Sequence, residues 1–295
     1  MKIIILDTET TGNKEEDRII QLSYLVMNEN LEIEEIHDEL VKPPLPISFE
    51  AMAVHHITNE MVENKPQIKH TTAYKRLKEL NSPENLIVIH NAKFDLDMLK
   101  KEGFNSFFKL IDTFRILKHL IPEGKFSLQY NRYALGLYKK EKDICDKYKI
   151  QINAHDALGD VIVLGLLFEY LVKNFDKNFE ELIDLTTKPV LHDKFYQGKY
   201  KFEKIKDVLI KDPDYIEYML SLTDLDPDVK YSIEHHLENL DEPMEFRFGV
   251  GKYKGMKIED VAEIDIQYLS WAYHNMKMGK WMREKIGEIL GKSHM

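Results

Sequence analysis

Residues 1–12 read MKIIILDTETTG. Ile3, Ile4, Ile5 and Leu6 form a short apolar run of the kind that fills a buried strand, and it leads into two acids, Asp7 and Glu9, at alternate positions. Residues two apart on a strand share a face. One side of one strand end therefore carries two negative charges a few ångströms apart, an arrangement that costs stability unless something offsets it.

Working outward, strand-like runs cover 2–7, 18–27, 31–41 and 86–90, with a short one at 110–112, and Asn28-Glu29-Asn30 reads as a hairpin between the second and third. Helical patterns cover 67–80, 94–102, 113–120, 127–135 and 155–173. A three-strand antiparallel meander followed by helix-crossed strands predicts an α/β domain, one mixed sheet flanked by helices, over residues 1–175. Beyond Phe175 the texture changes. GKYKFEKIKDVLIKDPDYI from Gly198 lies over GKYKGMKIEDVAEIDIQYL from Gly251, 53 residues apart without gaps. Two small α+β repeat modules are expected, at 176–240 and 241–295, joined near Leu240–Pro243.

The chain has 295 residues, 43% hydrophobic and 31% charged, enough apolar mass for a core and enough length for two or three domains. No apolar stretch approaches the roughly 20 residues of a membrane span, and the N-terminus lacks a secretory pattern, so no membrane partner and a cytoplasmic location are expected. Cys145 is the only cysteine, which excludes an intrachain disulfide and a cysteine-based zinc site. A net charge of −10 argues against a non-specific polyelectrolyte binder. It is compatible with carboxylates gathered for metal binding.

Two further acids face the predicted core. In HNAKFDLDML, Asn91 is a candidate helix cap, and Asp95 shares its helical stripe with Met98 and Leu99. In AHDALGDVIVLGLLFEYL, Asp160 lines up with Val163, Leu164 and Leu167. Either residue alone reads as a buried ion pair. Together with Asp7 and Glu9 they converge on one strand end, where like charges raise each other's pKa or demand a cation. All-oxygen ligation points to magnesium or manganese, and a pair of such ions serves phosphoryl chemistry. His155, five residues before Asp160, sits at the mouth of the last helix, where a near-neutral imidazole can take a proton from water.

DTETTG, HNAKFD and HDALGD, in this order, resemble the DEDDh 3′→5′ exonucleases, which have a ribonuclease H-like fold. Asp156 stands where the sister class has tyrosine. The resemblance covers about the first 175 residues. It implies Asp7, Glu9, Asp95 and Asp160 as ligands of two Mg²⁺ or Mn²⁺ ions, with His155 as general base. It implies nucleic acid as partner, DNA before RNA, with substrate contacts at Thr8, Thr11, Gly12, His55, Ile57 and Asn91. His55 and Ile57 fall in PISFEAMAVHHIT, which otherwise reads as a short helix and a Thr58 cap. That segment and FRFGVGKYKGMKIEDVAEIDIQYLSWAYHNM resemble one exodeoxyribonuclease branch of the family, although here the C-terminal module occurs twice and the first copy is degenerate, with Phe202 in place of Gly255 and Tyr218 in place of Trp271. In the repeats, Lys199, Tyr200, Lys252 and Tyr253 are candidate nucleic-acid contacts, or else core tyrosines beside solvated lysines. The resulting expectation is a 3′→5′ exodeoxyribonuclease of DNA repair or proofreading. An RNA-trimming exonuclease and a non-catalytic nucleic-acid scaffold are the alternatives.

Overall fold

The computed structural model describes residues 1–121, 124–150 and 157–291, and divides into two units, Met1–Lys188 and Pro189–Met295. The first unit holds a five-stranded sheet of β1 (Ile3–Thr10), β2 (Ile19–Met27), β3 (Ile33–Leu40), β4 (Leu86–Ile89) and β5 (Lys109–Asp112), in the order β3-β2-β1-β4-β5. β1, β2 and β3 form the antiparallel meander, and β4 and β5 add in parallel. This is the mixed sheet the sequence predicts. Its helices are α1 (Phe49–His55), α2 (Asn59–Val62), α3 (Thr72–Leu80), α4 (Lys93–Lys101), α5 (Thr113–Leu120), α6 (Leu128–Ala134), α7 (Tyr138–Tyr148), α8 (Ala157–Asn174) and α9 (Phe179–Thr187).

Strand alternation sorts the core into two layers. Ile3 and Ile5 pack with Leu25, Val88, Val161, Leu164 and Phe168 on the α8 side of the sheet. Ile4 and Leu6 pack with Tyr24, Ile87, Leu77 and Leu99 on the α3/α4 side. Asp7 and Glu9 continue the Ile3/Ile5 row, so the period of two that fills one layer also delivers both acids toward α8.

Several expected boundaries move. β1 runs on to Thr10, so the two acids lie inside the strand, with a register shift against β2 between Glu9 and Thr10. The helix expected from Gln67 starts at Thr72, capped by Thr71 and preceded by a 3-10 turn at Ile68–His70. The first compact unit runs on to Lys188, past Phe175, because α9 buries Leu182 in the α8-side core and Thr186 Oγ1 accepts the Asp112 N–H at 2.9 Å.

In the second unit, α10 (Ile205–Lys211), α11 (Pro213–Ser221) and α12 (Pro227–Glu238) are followed by α13 (Ile258–Ile264), α14 (Ile266–Asn275) and α15 (Lys280–Ile289). Each helix start recurs 53 residues later, as do the isolated antiparallel bridges Lys194–Lys204 and Arg247–Lys257. Among the described residues each half has one bridge and no ladder, which makes both essentially helical and corrects the expected α+β class. The halves interlock through a shared cap. Asp226 caps α12 by accepting from Asp228 N at 2.9 Å and Val229 N at 3.2 Å. Its counterpart before α15 is Gly279, where a Cβ would fall 2.4 Å from Glu217 Oε2. Glu217 of α11 supplies the missing acceptor, taking Lys280 N at 2.6 Å and Trp281 N at 3.2 Å. Trp281 meanwhile packs into both halves' cores. Glu217→Ala is expected to cost about 1 kcal/mol, the usual worth of a helix cap, and Asp226→Ala about the same, both read by urea unfolding.

Candidate active site

β4 pairs with β1 only as far as Ile5–Val88, so the last residues of β1 present an open edge on that side. α4 follows β4 and brings Asp95 into the gap. Thr8 donates to Asp95 Oδ1 from its backbone N at 3.1 Å and its hydroxyl at 2.7 Å. The N–H that a longer β4 would have covered is thus satisfied by an acid. Asp95 is 4% exposed, and burial pushes its carboxyl up to about 7, against the opposing pull of the Thr8 bonds. Asp7 is held well above the usual carboxylate range, by burial first and then by the charges of Asp95, Asp160 and Glu9. The other three acids expected at this strand end thus each act on Asp7.

α8 brings Asp160, and its start is fixed by the sheet. Gln21, paired with Glu9 across β1–β2, accepts the Ala157 N–H at 3.3 Å and gives its amide to Asp38 at 2.8 Å. Ser23, opposite Asp7, donates to the same Asp38 oxygen at 2.6 Å. On its other side Asp160 accepts from Gln129 Nε2 of α6. His155 falls in 151–156, outside the described residues.

One acid that the sequence reading passed over organises the approach. Asp112, at the end of β5, accepts Asn91 N and Ala92 N, each at 3.0 Å, and Phe114 N at 2.9 Å. It caps α5 and also holds the turn that enters α4. Asn91, expected as the α4 cap, sits instead in the left-handed region at φ 67, a conformation asparagine tolerates, and the cap position is Ala92. The Asp-Thr pair at a strand-to-helix junction is the cap signal that would have exposed Asp112. Gln129 offers no such signal.

The remaining candidates brace the end of β1. Thr11 is fully buried and donates to Asp17 Oδ1 at 2.6 Å. Gly12 passes so close that a Cβ would lie 2.6 Å from Asp17 Oδ2. His55 Nδ1 accepts the Ile57 N–H at 3.0 Å, so Nε2 donates to the Thr10 carbonyl at 3.2 Å, and burial lowers its pKa. Ile57 joins Ile20, Ile47 and Val62 in a small core. Beyond Gly12 and Asp95 along the chain, a cleft of about 410 Å³ is lined by residues that include Lys14, Phe94, Met98 and Lys101. In the second unit, Lys199 and Tyr200 both bond Asp212, at 2.7 and 2.5 Å. Lys252 and Tyr253 bond Asp265 at 2.9 and 2.8 Å. Both carboxylates sit at helix starts, where Asp212 caps α11 and Asp265 caps α14.

The donor set suits a hard divalent cation, since it is all carboxylate and carries an electrostatic deficit that positive charge would relieve. Among the described residues, no three histidines, cysteines or acids are already closed around a cation position.

The model of the exonuclease family matches residues 4–168, and the chain belongs to that family. Residues 248–277 match the exodeoxyribonuclease X-like C-terminal family. Exodeoxyribonuclease 10 of Escherichia coli K12 is 28% identical over 236 residues, covering 80% of this chain and 98% of that protein. The DNA polymerase III epsilon subunit of Buchnera aphidicola is 29% identical over 198 residues, covering 61% of this chain and 76% of that protein. Among solved structures, exonuclease X in complex with 5′-overhanging duplex DNA is 26% identical with a TM-score of 0.47, covering 63% of this chain and 98% of that one.

Two outcomes follow from the geometry. Asp112→Ala removes the acceptor of four N–H groups, Asn91, Ala92, Phe114 and the longer Arg115 bond, and is expected to cost about 3 kcal/mol in urea unfolding. The raised acids set a pH dependence. A carboxyl whose folded pKa exceeds its unfolded value, near 3.9, binds protons more tightly when folded, so stability falls as pH rises from about 4 through 7. In chelator, the Tm of the parent is expected to drop more between pH 5 and 8 than that of Asp7→Asn, by about 2–4 °C for each kcal/mol of repulsion removed.

Proposed function

We propose that this chain is a divalent-metal-dependent 3′→5′ exodeoxyribonuclease of the DEDDh class, releasing 5′-mononucleotides from DNA 3′ ends in repair or proofreading. The observation that carries the reading is the raised Asp7 at the open end of β1, held up by burial and by the charges of Asp95, Asp160 and Glu9. DNA rather than RNA is supported by the likeness to exodeoxyribonuclease 10, which extends well past the family match into the second unit. The recurrence at 53 residues supports a duplicated C-terminal module occupying Pro189–Met295, with the catalytic domain at 1–188. The first copy departs at Phe202, which takes φ 71 where Gly255 takes φ 86.

The four carboxylates would hold a pair of Mg²⁺ or Mn²⁺ ions. Bound there, the ions would supply charge neutralisation for in-line displacement at phosphorus. The chain's own residues do the rest. Thr8 keeps Asp95 oriented, and Gln129 keeps Asp160 oriented. The backbone at Thr8 and Glu9 meets the terminal 3′-hydroxyl, while the connection after Gly12, stiffened by Asp17, borders the last nucleotide. Asn91 lies exposed at the entrance to α4, on the same rim. His55 and Ile57 fix the β1 end from behind and shape that border. His155, in the motif before Asp160, takes the proton from the attacking water.

Asp7→Ala and, separately, His155→Ala are expected to lower kcat on a 3′-labelled oligonucleotide with magnesium by at least about 100-fold, the lower bound for a general base. Full activity in either protein sinks the assignment. Matched DNA and RNA oligonucleotides separate the exoribonuclease alternative, and an inactive parent returns the scaffold reading. Independently of turnover, magnesium or manganese should raise the Tm of the parent, and Asp7→Asn should gain less.

A further inference from the structure

The stretch from Lys125 to Lys149 carries seven lysines and arginines against three acids, in a chain whose net charge is −10. Three tyrosines on it stand in solvent: Tyr130, Tyr133 and Tyr138, 46%, 62% and 44% exposed. Each has a cation over its ring. Lys125 Nζ lies 5.1 Å from the Tyr130 centroid, the Arg132 guanidinium 5.5 Å from that of Tyr133, and Lys139 Nζ 5.9 Å from that of Tyr138. The Tyr133 and Tyr138 rings are 5.6 Å apart, and Tyr130 and Tyr133, three residues apart on α6, share a face. The result is one continuous strip running from α6 onto the start of α7.

The adjoining side of α6 is locked to the candidate active site. Gln129 Nε2 donates to Asp160 Oδ1, and Arg132 donates to Gln129 Oε1 at 3.2 Å. Arg132 also holds Glu141 of α7 through paired bonds of 2.7 and 2.6 Å. The tyrosine strip therefore has a fixed register against the carboxylates and begins one helix side away from Asp160. A core role is excluded by exposure. A purely apolar protein contact is disfavoured by the cation at every ring, whereas alternating cations and aromatic faces suit a polyanion whose bases stack.

We infer that α6 and the start of α7 form a platform for single-stranded DNA on the 5′ side of the scissile phosphate. Tyr130, Tyr133 and Tyr138 stack successive bases, and Lys125 and Lys139 meet the phosphates. This inference rests on the exonuclease reading above and adds to it a substrate form, an unpaired strand feeding the site.

The test reads binding without turnover, by fluorescence anisotropy of labelled dT16, dT4 and a blunt 16-bp duplex on the full chain in chelator. Tyr130→Ala/Tyr133→Ala is expected to weaken dT16 binding by about tenfold or more, while Tyr130→Phe/Tyr133→Phe, which keeps the rings, retains it. Lys125→Gln/Lys139→Gln is expected to reduce the slope of log K against log salt by about 1.4, from about 0.7 per phosphate on a single strand. Parent-like dT16 binding by the alanine variant overturns the platform. So does an equal loss on the duplex, or the same loss in the phenylalanine variant. A parent that binds dT16 through these tyrosines yet degrades no 3′ end with magnesium overturns the exonuclease reading and leaves the platform standing. A parent that degrades DNA while the alanine variant binds normally overturns the platform alone.

Discussion

Like-charge crowding at the open end of β1 is the constraint on which the rest of the catalytic unit depends. Two unit charges 4 Å apart interact by about 4 kcal/mol at an effective dielectric constant of 20, while a hydrogen bond to a charged group returns roughly 1.5–3 kcal/mol. Asp95 receives both Thr8 bonds and is still raised to about 7, because the cost of burying its charge outweighs them. The short β4 makes the arrangement possible. Had the strand continued, its backbone would have covered the Thr8 N–H and excluded Asp95. Stopping at Ile89 trades ladder bonds for an acid in the plane of the sheet.

Acids that repel must be held in place by something other than one another, and each is held from a different element. Asp112 fixes the entrance to α4 and so the position of Asp95. Gln21 fixes the start of α8, and Gln129 bonds Asp160 directly. These side chains link the sheet, α5, α6 and α8 to the same small volume. A substitution at Asp112 is thus a change to the carboxylate geometry as well as to stability.

The antiparallel meander and the mixed sheet flanked by helices were legible because a period of two marks strands and a 3.6 period marks α4, α5 and α8. All four converging acids were legible for the same reason, since each interrupts an apolar stripe. What escaped had no such contrast. α7, YKKEKDICDKY, is too polar to show a stripe, and α9 was masked by the change of texture after Phe175. Asp112 looked like the end of a strand: its cap of α5 is local, but its bonds to Asn91 N and Ala92 N reach back 21 and 20 residues. Gln129 was silent because a glutamine on a half-exposed helix is unremarkable until its partner is known. The lysine–tyrosine pairs of the second unit were legible as pairs, but their acceptors, Asp212 and Asp265, lie 12 or 13 residues downstream, beyond α10 and α13.

The charge distribution bears on how a strongly acidic chain handles a polyanion. At physiological salt the Debye length is about 8 Å, so a nucleic acid senses the nearest surface and little of the net charge of −10. The net charge therefore does not by itself bar a polyanion from the basic strip at Lys125–Lys149. That strip is joined to Asp160 through Gln129 and Arg132. In the proposed platform, a basic strip held in register with Asp160 places affinity for a strand where its end can reach the carboxylates.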